Sequence, residues 1–374
     1  MHEAEALLWK LLRQDHLFLS NRFEINTDVY NDSLAVLLSS ISRQWPGSKQ
    51  LPTAVLRRVD ALILSFQQLV HNPTARLDWT TFGRNQILYV CLKARRPDEA
   101  LQISNEMQEA SRGDYGGTSY QQPNVTTYNT VLQTLSLDGR VEEIHRILTQ
   151  LVTTYRQAQT SPVRAVARNA VHANHFSVMP WVTAYSRLPL DHAQRVHAGH
   201  HAVAAVQCVQ TWAEEGLVDT TALQMDLVMA AVAKAWLHSG SPDTLPRLLA
   251  LWQHAVTNDR GSREVVAAPR LAWTIVLALD DMVTCPSDAA ATATHSAISS
   301  FWRDTEKLAH RSRGRARQAW LRWYQRVVRT RFAAGDVAAG YDHLQVLQGL
   351  DATAAAVVQD ELTAAHDTDS PVQP

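Results

Sequence analysis

Apolar residues recur at helical spacing along nearly the whole chain, whereas the alternating pattern typical of strands is almost absent. In the stretch Val141–Val152, for example, Ile144, Ile147, Leu148 and Leu151 fall on one face of a helix. Turn-forming residues, mainly glycine, proline and serine, separate such stretches. The pattern therefore predicts an all-α protein with many helices of about 10–18 residues.

Two of these stretches align without a gap, which indicates that the helices repeat as pairs. Arg84–Ala100 and Tyr128–Ile144 both carry Asn at the second position, then an apolar stripe, a polar turn with Arg and an acidic helix start. Weaker copies recur about every 50 residues. The equivalent positions are Asn31, Asn85, Asn129, Met179, Ala230, Thr274 and Gln325.

A single helix pair cannot bury its own apolar stripe, whereas stacked pairs can. The repeats therefore predict a right-handed superhelical solenoid of about seven antiparallel helix pairs over residues 1–350. Residues 351–374 are expected to form an acidic C-terminal helix and tail. The stretch Ala4–Leu12 looks like the second helix of a pair whose first helix is missing, so we expect further residues upstream.

The composition excludes several classes of protein. The 374 residues carry 35 Lys+Arg and 36 Asp+Glu, so the chain is not uniformly basic, although a local basic patch is compatible with it. Three widely spaced cysteines (Cys91, Cys208 and Cys285) exclude a disulfide scaffold and a cysteine zinc site, and suit a reducing compartment. The longest apolar runs span only a few residues, so no membrane-spanning helix and no membrane partner are expected.

One segment carries a recognisable repeat motif. Val125–Leu151 opens with VTTYN, continues through an Asp-Gly-Arg turn and ends in an amphipathic helix. These features resemble the pentatricopeptide-repeat family, and Cys91–Met107 is similar to the second half of another such repeat. The steps between repeats are longer than in that family, which places insertions in loops such as Ala110–Gln122 and Thr154–Asn174.

The resemblance implies that the chain binds single-stranded RNA at one base per repeat, through side chains on a concave face. The base-reading residues that it implies are Asn31, Asn85, Asn129 and, as a looser match, Gln325. Their implied partners before the next repeat are Thr80, Asn124 and Asn174, in that order. Asn paired with Asn or Thr would favour pyrimidines. An Asn near a helix start is also a common N-cap, so a purely structural role stays open.

A basic segment is a second candidate RNA contact. Arg303–Arg331 contains nine Arg and one Lys against two acidic residues. The arginines expected to bind phosphate are Arg311, Arg313, Arg315, Arg317, Arg322 and Arg326. The neighbouring Trp302, Trp320, Trp323 and Tyr324 would add stacking platforms. The alternative is a solvated basic helix with its aromatic residues in the core, neutralised by the acidic tail Phe332–Pro374.

The sequence contains no catalytic motif, no Gly-rich phosphate loop and no clear metal motif. His197 and His201 lie four residues apart, but the only carboxylate near them is Asp191 and no cysteine accompanies them. A surface histidine cluster is therefore favoured over a metal site. We expect no enzymatic activity, no metal and no cofactor.

These observations favour a single-stranded RNA-binding helical-repeat protein that acts in organellar RNA processing, stability or translation. The alternative is a protein-binding scaffold, or a ribonucleoprotein subunit such as one of an organellar ribosome, without base-specific reading. The resemblance alone implies a mitochondrial or chloroplast location, because the visible N-terminus, Met1–Asp15, has no targeting pattern. The sequence leaves the oligomeric state open.

Overall fold

The computed structural model describes Val36 and residues 52–70, 80–112, 122–161, 170–189, 191–221, 225–241, 243–258, 269–283, 291–312 and 314–368. Helices make up 84% of the described structure. The prediction of an all-α protein is therefore confirmed.

Fourteen α-helices are described within these ranges. In chain order they are α1 (Thr53–Val70), α2 (Thr81–Ala94), α3 (Pro97–Arg112), α4 (Val125–Leu137), α5 (Val141–Thr160), α6 (His175–Ala184), α7 (Ala198–Glu214), α8 (Met225–Ser239), α9 (Thr244–Asn258), α10 (Pro269–Val283), α11 (Ala291–Arg311), α12 (Gly314–Ala333), α13 (Val337–Leu350) and α14 (Ala352–Thr368). Two-residue strands occur at β1 (Ala173–Asn174) and β2 (Val218–Asp219).

The turn from α4 to α5 depends on a glycine. Gly139 has φ +69°, a left-handed conformation that side chains disfavour. A Cβ at this position would lie 2.6 Å from the carbonyl oxygen of Arg187. Arg140 follows it, forms an ion pair with Glu143 in the first turn of α5 at 2.6 Å, and also pairs with Asp98 of α3. Both backbone freedom and close packing therefore require glycine here.

The described chain divides into two compact units. The first contains residues up to Leu190 together with Ala205–Ala222. Within it, α2 packs against α4, and α4 packs against α6. The helix α3 contacts both α2 and α4, and α5 contacts both α4 and α6. Each second helix of a pair thus bridges two successive first helices.

The second unit contains Asp191–Ala204 and Leu223–Pro374, and it repeats this order of contacts in part. Here α8, α10, α12 and α14 pack against one another in sequence. Two helices, α9 and α13, each contact two successive members of this series. The helix α11 contacts α12 and also packs against α9 and α13.

The apolar stripes predicted from the sequence form the core. Ile144, Ile147, Leu148 and Leu151 of α5 are all buried. In the second unit, large aromatic side chains fill the interior, and Trp252, Trp320, Tyr324 and Phe301 are among the largest fully buried ones. Burial of large aromatic side chains contributes most to the stability of such a core.

A short parallel strand pair lies beside α6, and the sequence pattern did not predict it. Ala173 pairs with Val218, and Asn174 pairs with Asp219. Because β1 ends at Asn174 and α6 begins at His175, this pairing fixes the residue that caps α6. Among the helices that the model describes, none is long and apolar enough to span a bilayer.

Candidate nucleic-acid interface

A polar cluster joins α2 to the start of α4. Asn85, the fifth residue of α2, is only 8% exposed. Its Nδ2 donates to Oδ1 of Asn124 at 3.3 Å, and its Oδ1 accepts a hydrogen bond from Oγ1 of Thr127 at 2.7 Å. Asn124 is the N-cap of α4 and forms a reciprocal capping box with Thr127. The predicted partners Asn85 and Asn124 are therefore in direct contact.

The same cluster recurs between α4 and α6. Asn129, the fifth residue of α4, donates from Nδ2 to Oδ1 of Asn174 at 3.2 Å. Its Oδ1 accepts from Oγ of Ser177 at 2.5 Å. Asn174 caps α6 and forms a capping box with Ser177. The predicted pair Asn129–Asn174 is thus also in contact, and Ser177 takes the place of Thr127.

The hydrogen bonds fix which way the cap amides face. Oδ1 of Asn174 accepts from the backbone N–H groups of Phe176 and Ser177, at 3.0 Å and 3.3 Å, as well as from Asn129. Within the described residues, Nδ2 of Asn124 and Nδ2 of Asn174 donate to no other group. Because Asn124 is exposed and Asn174 is half-buried, these clusters offer free N–H donors but no free cap oxygen.

The third predicted pair cannot be compared in the same way. Thr80 caps α2, and its Oγ1 accepts from the backbone N–H of Gly83 at 3.1 Å. Its predicted partner Asn31 lies outside the described residues, so the contact between them stays a prediction. Gly83 stands where the other two caps have Thr127 or Ser177, so this cap lacks the second hydroxyl.

The repeat positions of the second unit are occupied differently. Gln325 lies inside α12, and its Nε2 donates to the backbone carbonyl of Ala354 in α14 at 3.3 Å. Its amide therefore joins two helices. Ala230 is buried and Thr274 is fully buried, so neither side chain can reach a ligand. At Met179, in the first unit, the side chain is half-buried and apolar.

Two exposed aromatic side chains near the clusters were missed by the sequence analysis. Phe82 and Phe176 are the second residues of α2 and α6 and are 50% and 63% exposed. Phe82 precedes Asn85 by three residues and so lies on the same side of α2. Thr126 holds this position in α4 and is exposed. A phenylalanine two residues after each cap, Thr80 or Asn174, was the available signal.

Two arginines, Arg95 and Arg187, follow the C-terminal ends of α2 and α6. Arg187 follows α6 and donates from Nη1 to Oγ of Ser136 at 3.4 Å. Burial lowers the pKa of Arg187, and the charge of Arg95, which follows α2, lowers that pKa further. In the described part of the chain, neither arginine forms an ion pair. An anion bound between them would relieve this repulsion.

Of the six arginines predicted to bind phosphate, the four whose side chains are described differ in their contacts. Arg313 lies outside the described residues, and of Arg315 only the backbone is described. Arg311 is exposed at the end of α11. Arg317 donates from Nη2 to the carbonyl of Leu350 at 2.6 Å, so it ties α12 to the end of α13.

The remaining two stay accessible on α12. Arg322 is exposed, and its Nε donates to the carbonyl of Gln318 one turn earlier, at 3.2 Å. Arg326 is also exposed, and its guanidinium carbon lies 3.9 Å from the ring centroid of Trp273 in α10. Arg329, one turn further, forms a two-point ion pair with Glu361 of α14, at 2.8 Å and 3.1 Å.

The expectation that aromatic residues of this segment provide stacking platforms is wrong for three of them. Trp320, Trp323 and Tyr324 are buried and pack against one another edge to face. Trp302 is half-buried, with His343 at 4.3 Å between ring centroids. Together with the Arg329–Glu361 ion pair, this favours the alternative of core aromatics and an acidic segment that neutralises part of the charge.

The histidine cluster has no metal-binding geometry. The ring of His197 lies 6.5 Å from that of His200 and 6.3 Å from that of His201. His200 packs edge-on against Trp236 at 4.4 Å. Across the described ranges, no three His, Cys, Asp or Glu side chains are placed to hold a metal ion.

No protein-family model matches the chain. No curated protein is significantly similar to it either. Membership of the pentatricopeptide-repeat family therefore stays a prediction, carried by the motif in Val125–Leu151. Any assignment of function depends on the two Asn clusters and the side chains around them.

Proposed function

We propose that this protein binds single-stranded RNA, and that each compact unit is a segment of an α-solenoid of the pentatricopeptide type. The order of helix contacts supports this, because first helices contact first helices in both units, and α3, α5, α9 and α13 each bridge two of them. A continuous right-handed array of about seven pairs stays a prediction.

The recurring Asn clusters carry the proposal. Asn85–Asn124 and Asn129–Asn174 repeat the same geometry in successive helix pairs, as a reader of successive bases requires. Their free N–H donors match acceptors on the Watson–Crick edge of a base. Pyrimidines present such acceptors at O2, and cytosine adds N3 beside it. Adenine N1 and guanine O6 also accept, so the preference for pyrimidines that we propose at these two positions rests on the resemblance to pentatricopeptide repeats.

The surroundings of the clusters suit the rest of a nucleotide. Phe82 lies in α2, which contains Asn85, and Phe176 lies in α6, which Asn174 caps. Both expose aromatic surface, on which an unpaired base stacks well. Arg95 and Arg187 supply unpaired positive charge, which attracts the phosphate backbone. Stacking and charge would supply affinity, and the amides would supply selectivity.

In the cell, occupancy of the RNA would be the function, and no catalytic step is required. Such binding would stabilise a transcript of the mitochondrion or the chloroplast, or support its processing or translation. The protein would act alone or within a ribonucleoprotein. This biological setting comes from the resemblance of Val125–Leu151 to pentatricopeptide repeats.

The proposal is tested by reversing the hydrogen-bonding character of one cap. Asp caps helices as well as Asn does, so Asn174→Asp keeps the oxygen that accepts from Phe176, Ser177 and Asn129. The variant loses the outward Nδ2 donors. Selection from a random single-stranded RNA pool should show a pyrimidine-containing motif for the unmodified protein. At one position of that motif, the variant should shift about tenfold toward a base that offers a donor, such as uracil N3–H.

The matched control is Asp351→Asn, which exchanges the same two residue types at the start of α14, where Oδ1 of Asp351 accepts from Ala354 N–H at 3.0 Å. It should leave the selected motif unchanged. An Asn174→Asp motif identical to that of the unmodified protein would contradict base reading by this cluster. Failure of the unmodified protein to retain any RNA would contradict the proposal as a whole.

A protein-binding scaffold is the second candidate. The exposed Phe82 and Phe176 and the net charge of −1 favour it, because both suit a peptide ligand. A partner protein whose binding is lost in Phe82→Ser and Phe176→Ser, in a protein that binds no RNA, would support this second function.

A further inference from the structure

A cation–π pair in the second unit lies at the surface, outside the core. Trp273 of α10 is half-buried and Arg326 of α12 is exposed, with the guanidinium carbon 3.9 Å above the ring. In the described chain, each of the two other cation–π pairs has one buried member. Lys93, which lies over Tyr89, is itself buried, and the exposed Arg247 lies over a ring, that of Trp236, which is buried. The Trp273–Arg326 pair therefore differs in remaining open to a ligand.

The charge of Arg326 is not neutralised. No carboxylate of the described residues pairs with Arg326 or Arg322, whereas Arg329 is held by Glu361. Arg322 lies one helical turn before Arg326 and is exposed, so both guanidinium groups project from the same side of α12. A planar guanidinium that is stacked on one face keeps its second face and its N–H edges free.

The position of Trp273 along its helix matches that of the Asn residues of the first unit. It is the fifth residue of α10, as Asn85 is of α2 and Asn129 is of α4. Proline is common at the first position of a helix, which agrees with a start at Pro269. The sequence alignment assigned the position to Thr274, but that side chain is fully buried and its hydroxyl donates to the carbonyl of Arg270 at 3.1 Å. Trp273 is the accessible side chain there.

We infer that Trp273, Arg326 and Arg322 form a stacking site for one unpaired nucleotide of single-stranded RNA. The base stacks on the exposed part of the Trp273–Arg326 pair, and the adjoining phosphate binds the N–H edges of Arg322 and Arg326. Every base has a stacking face, so this site binds without sequence preference. The second unit thus contributes affinity, while the first unit selects bases. This inference rests on the proposed RNA-binding function.

The direct test is photocrosslinking of the 374-residue chain to oligouridylate of about 12 nucleotides that carries 5-bromouridine, followed by mass spectrometry of the peptides. The expected result is a crosslink at Trp273. Titrations of the same oligonucleotide supply the second measurement. Trp273→Leu should lower affinity about five- to hundredfold, the range for loss of one base–aromatic stack. Trp273→Phe keeps an aromatic ring and should retain most of the affinity.

Charge and stacking are separated by two further variants. Arg326→Lys keeps the charge but loses the plane, so it should weaken binding about fivefold or more without changing the salt dependence. Arg322→Gln removes one phosphate contact and should reduce the slope of log affinity against log salt by about one. Arg303→Lys is the matched control, since Arg303 is exposed on α11 and has no ion pair among the described residues. It should bind as the unmodified protein does.

Failure of this inference can be distinguished from failure of the proposed function. The inference would be overturned if Trp273→Leu and Arg326→Lys bound the oligonucleotide as tightly as the unmodified protein does and no crosslink formed at Trp273. If Asn174→Asp still changed base preference, the RNA-binding function would stand without it. Loss of a protein partner in these variants with RNA affinity unchanged would also overturn it. No RNA binding by the unmodified chain would overturn both.

Discussion

Asn129 and Asn174, 45 residues apart in sequence, share a hydrogen bond of 3.2 Å from Nδ2 to Oδ1. This bond links the body of α4 to the first residue before α6, so it ties one helix pair to the next. It also turns the donor group of Asn174 away from the cluster. One contact thus stabilises the stack and sets the chemistry that a base would meet.

The hydroxyl of Ser177 should be important for stability. It donates to Asn129 and accepts from the backbone N–H of Asn174 at 3.1 Å, so Ser177→Ala removes both interactions. We expect a loss of roughly 1–2 kcal/mol in the free energy of unfolding. Ser177→Thr should lose much less, because Thr127 performs the same role in the preceding pair. Equilibrium urea unfolding provides the measurement.

Thr160→Ala serves as its control, because that exposed hydroxyl donates only within its own helix, to the carbonyl of Gln157 at 3.0 Å. An unfolding midpoint for Ser177→Ala equal to that of Thr160→Ala would mean that the cluster contributes little to stability.

Gly139 and Gly335 form a matched pair of turns for a second prediction. Both have positive φ, +69° and +78°. Gly139→Ala would place its Cβ 2.6 Å from the carbonyl oxygen of Arg187, whereas an added Cβ at Gly335 meets nothing within 4 Å. Gly335→Ala should therefore lower stability by about 1 kcal/mol through backbone conformation alone. Gly139→Ala should lower it by roughly 1–3 kcal/mol more, because the backbone of Arg187 must move.

Thermal unfolding followed by circular dichroism would rank the two glycine variants. Equal shifts in melting temperature would show that the turn after α4 can open without disturbing the segment that follows α6.

Part of the Asn clusters could be predicted from the sequence. The resemblance to pentatricopeptide repeats implied the pairs Asn85–Asn124 and Asn129–Asn174, and both pairs are in contact. Their closure by Thr127 and Ser177 was not predicted. It depends on how the start of one helix is placed against the side of another, and helical periodicity does not contain that information.

The aromatic residues of α12 show a different kind of error. Trp320, Trp323, Tyr324, Val327 and Val328 follow the spacing of a single buried helix face, and all five are buried. Of the two interpretations that the sequence left open for these rings, stacking platforms and core residues, this spacing favours the core, whereas the arginines between them favour stacking. The hydrophobic pattern of the sequence did not indicate the division into two units, because one boundary, at Ala205, falls inside the uninterrupted helical pattern of α7.

A third prediction concerns energetic coupling within the first cluster. Asn85→Ala and Thr127→Val each break the 2.7 Å hydrogen bond between these buried residues. The double variant should lose less stability than the two single losses combined, with a coupling energy of roughly 0.5–3 kcal/mol. Asn85→Ala with Thr134→Val is the control cycle, because the Thr134 hydroxyl bonds Thr130 and shares no partner with Asn85. That cycle should be additive within about 0.5 kcal/mol, and equal coupling in both cycles would contradict a local cluster.

The last prediction is a pH dependence of stability that arises at His343. The pKa of His343, which packs against Trp302, is lowered from 6.5 to about 4. Burial is the largest cause and the charge of Arg331 acts in the same direction, whereas Asp342 and Asp336 oppose them. Between pH 6.5 and about 4 the unfolded chain binds a proton that the folded protein does not, so stability falls as the pH falls through this window. Above pH 6.5 the contribution is complete, and below pH 4 no further loss occurs at this residue.

His343→Phe keeps a ring beside Trp302 and removes the titrating group. Its unfolding free energy should therefore depend less on pH between 6.5 and 4 than that of the unmodified protein, by up to roughly 3 kcal/mol over the window. His310→Gln, which alters an exposed histidine of α11, should retain the full dependence. Urea unfolding at several pH values would measure both variants. Both variants keep every carboxylate of the protein, so carboxylates contribute equally to the two pH dependences. Parallel plots of unfolding free energy against pH for His343→Phe and His310→Gln would mean that His343 takes up its proton as readily in the folded protein as in the unfolded chain.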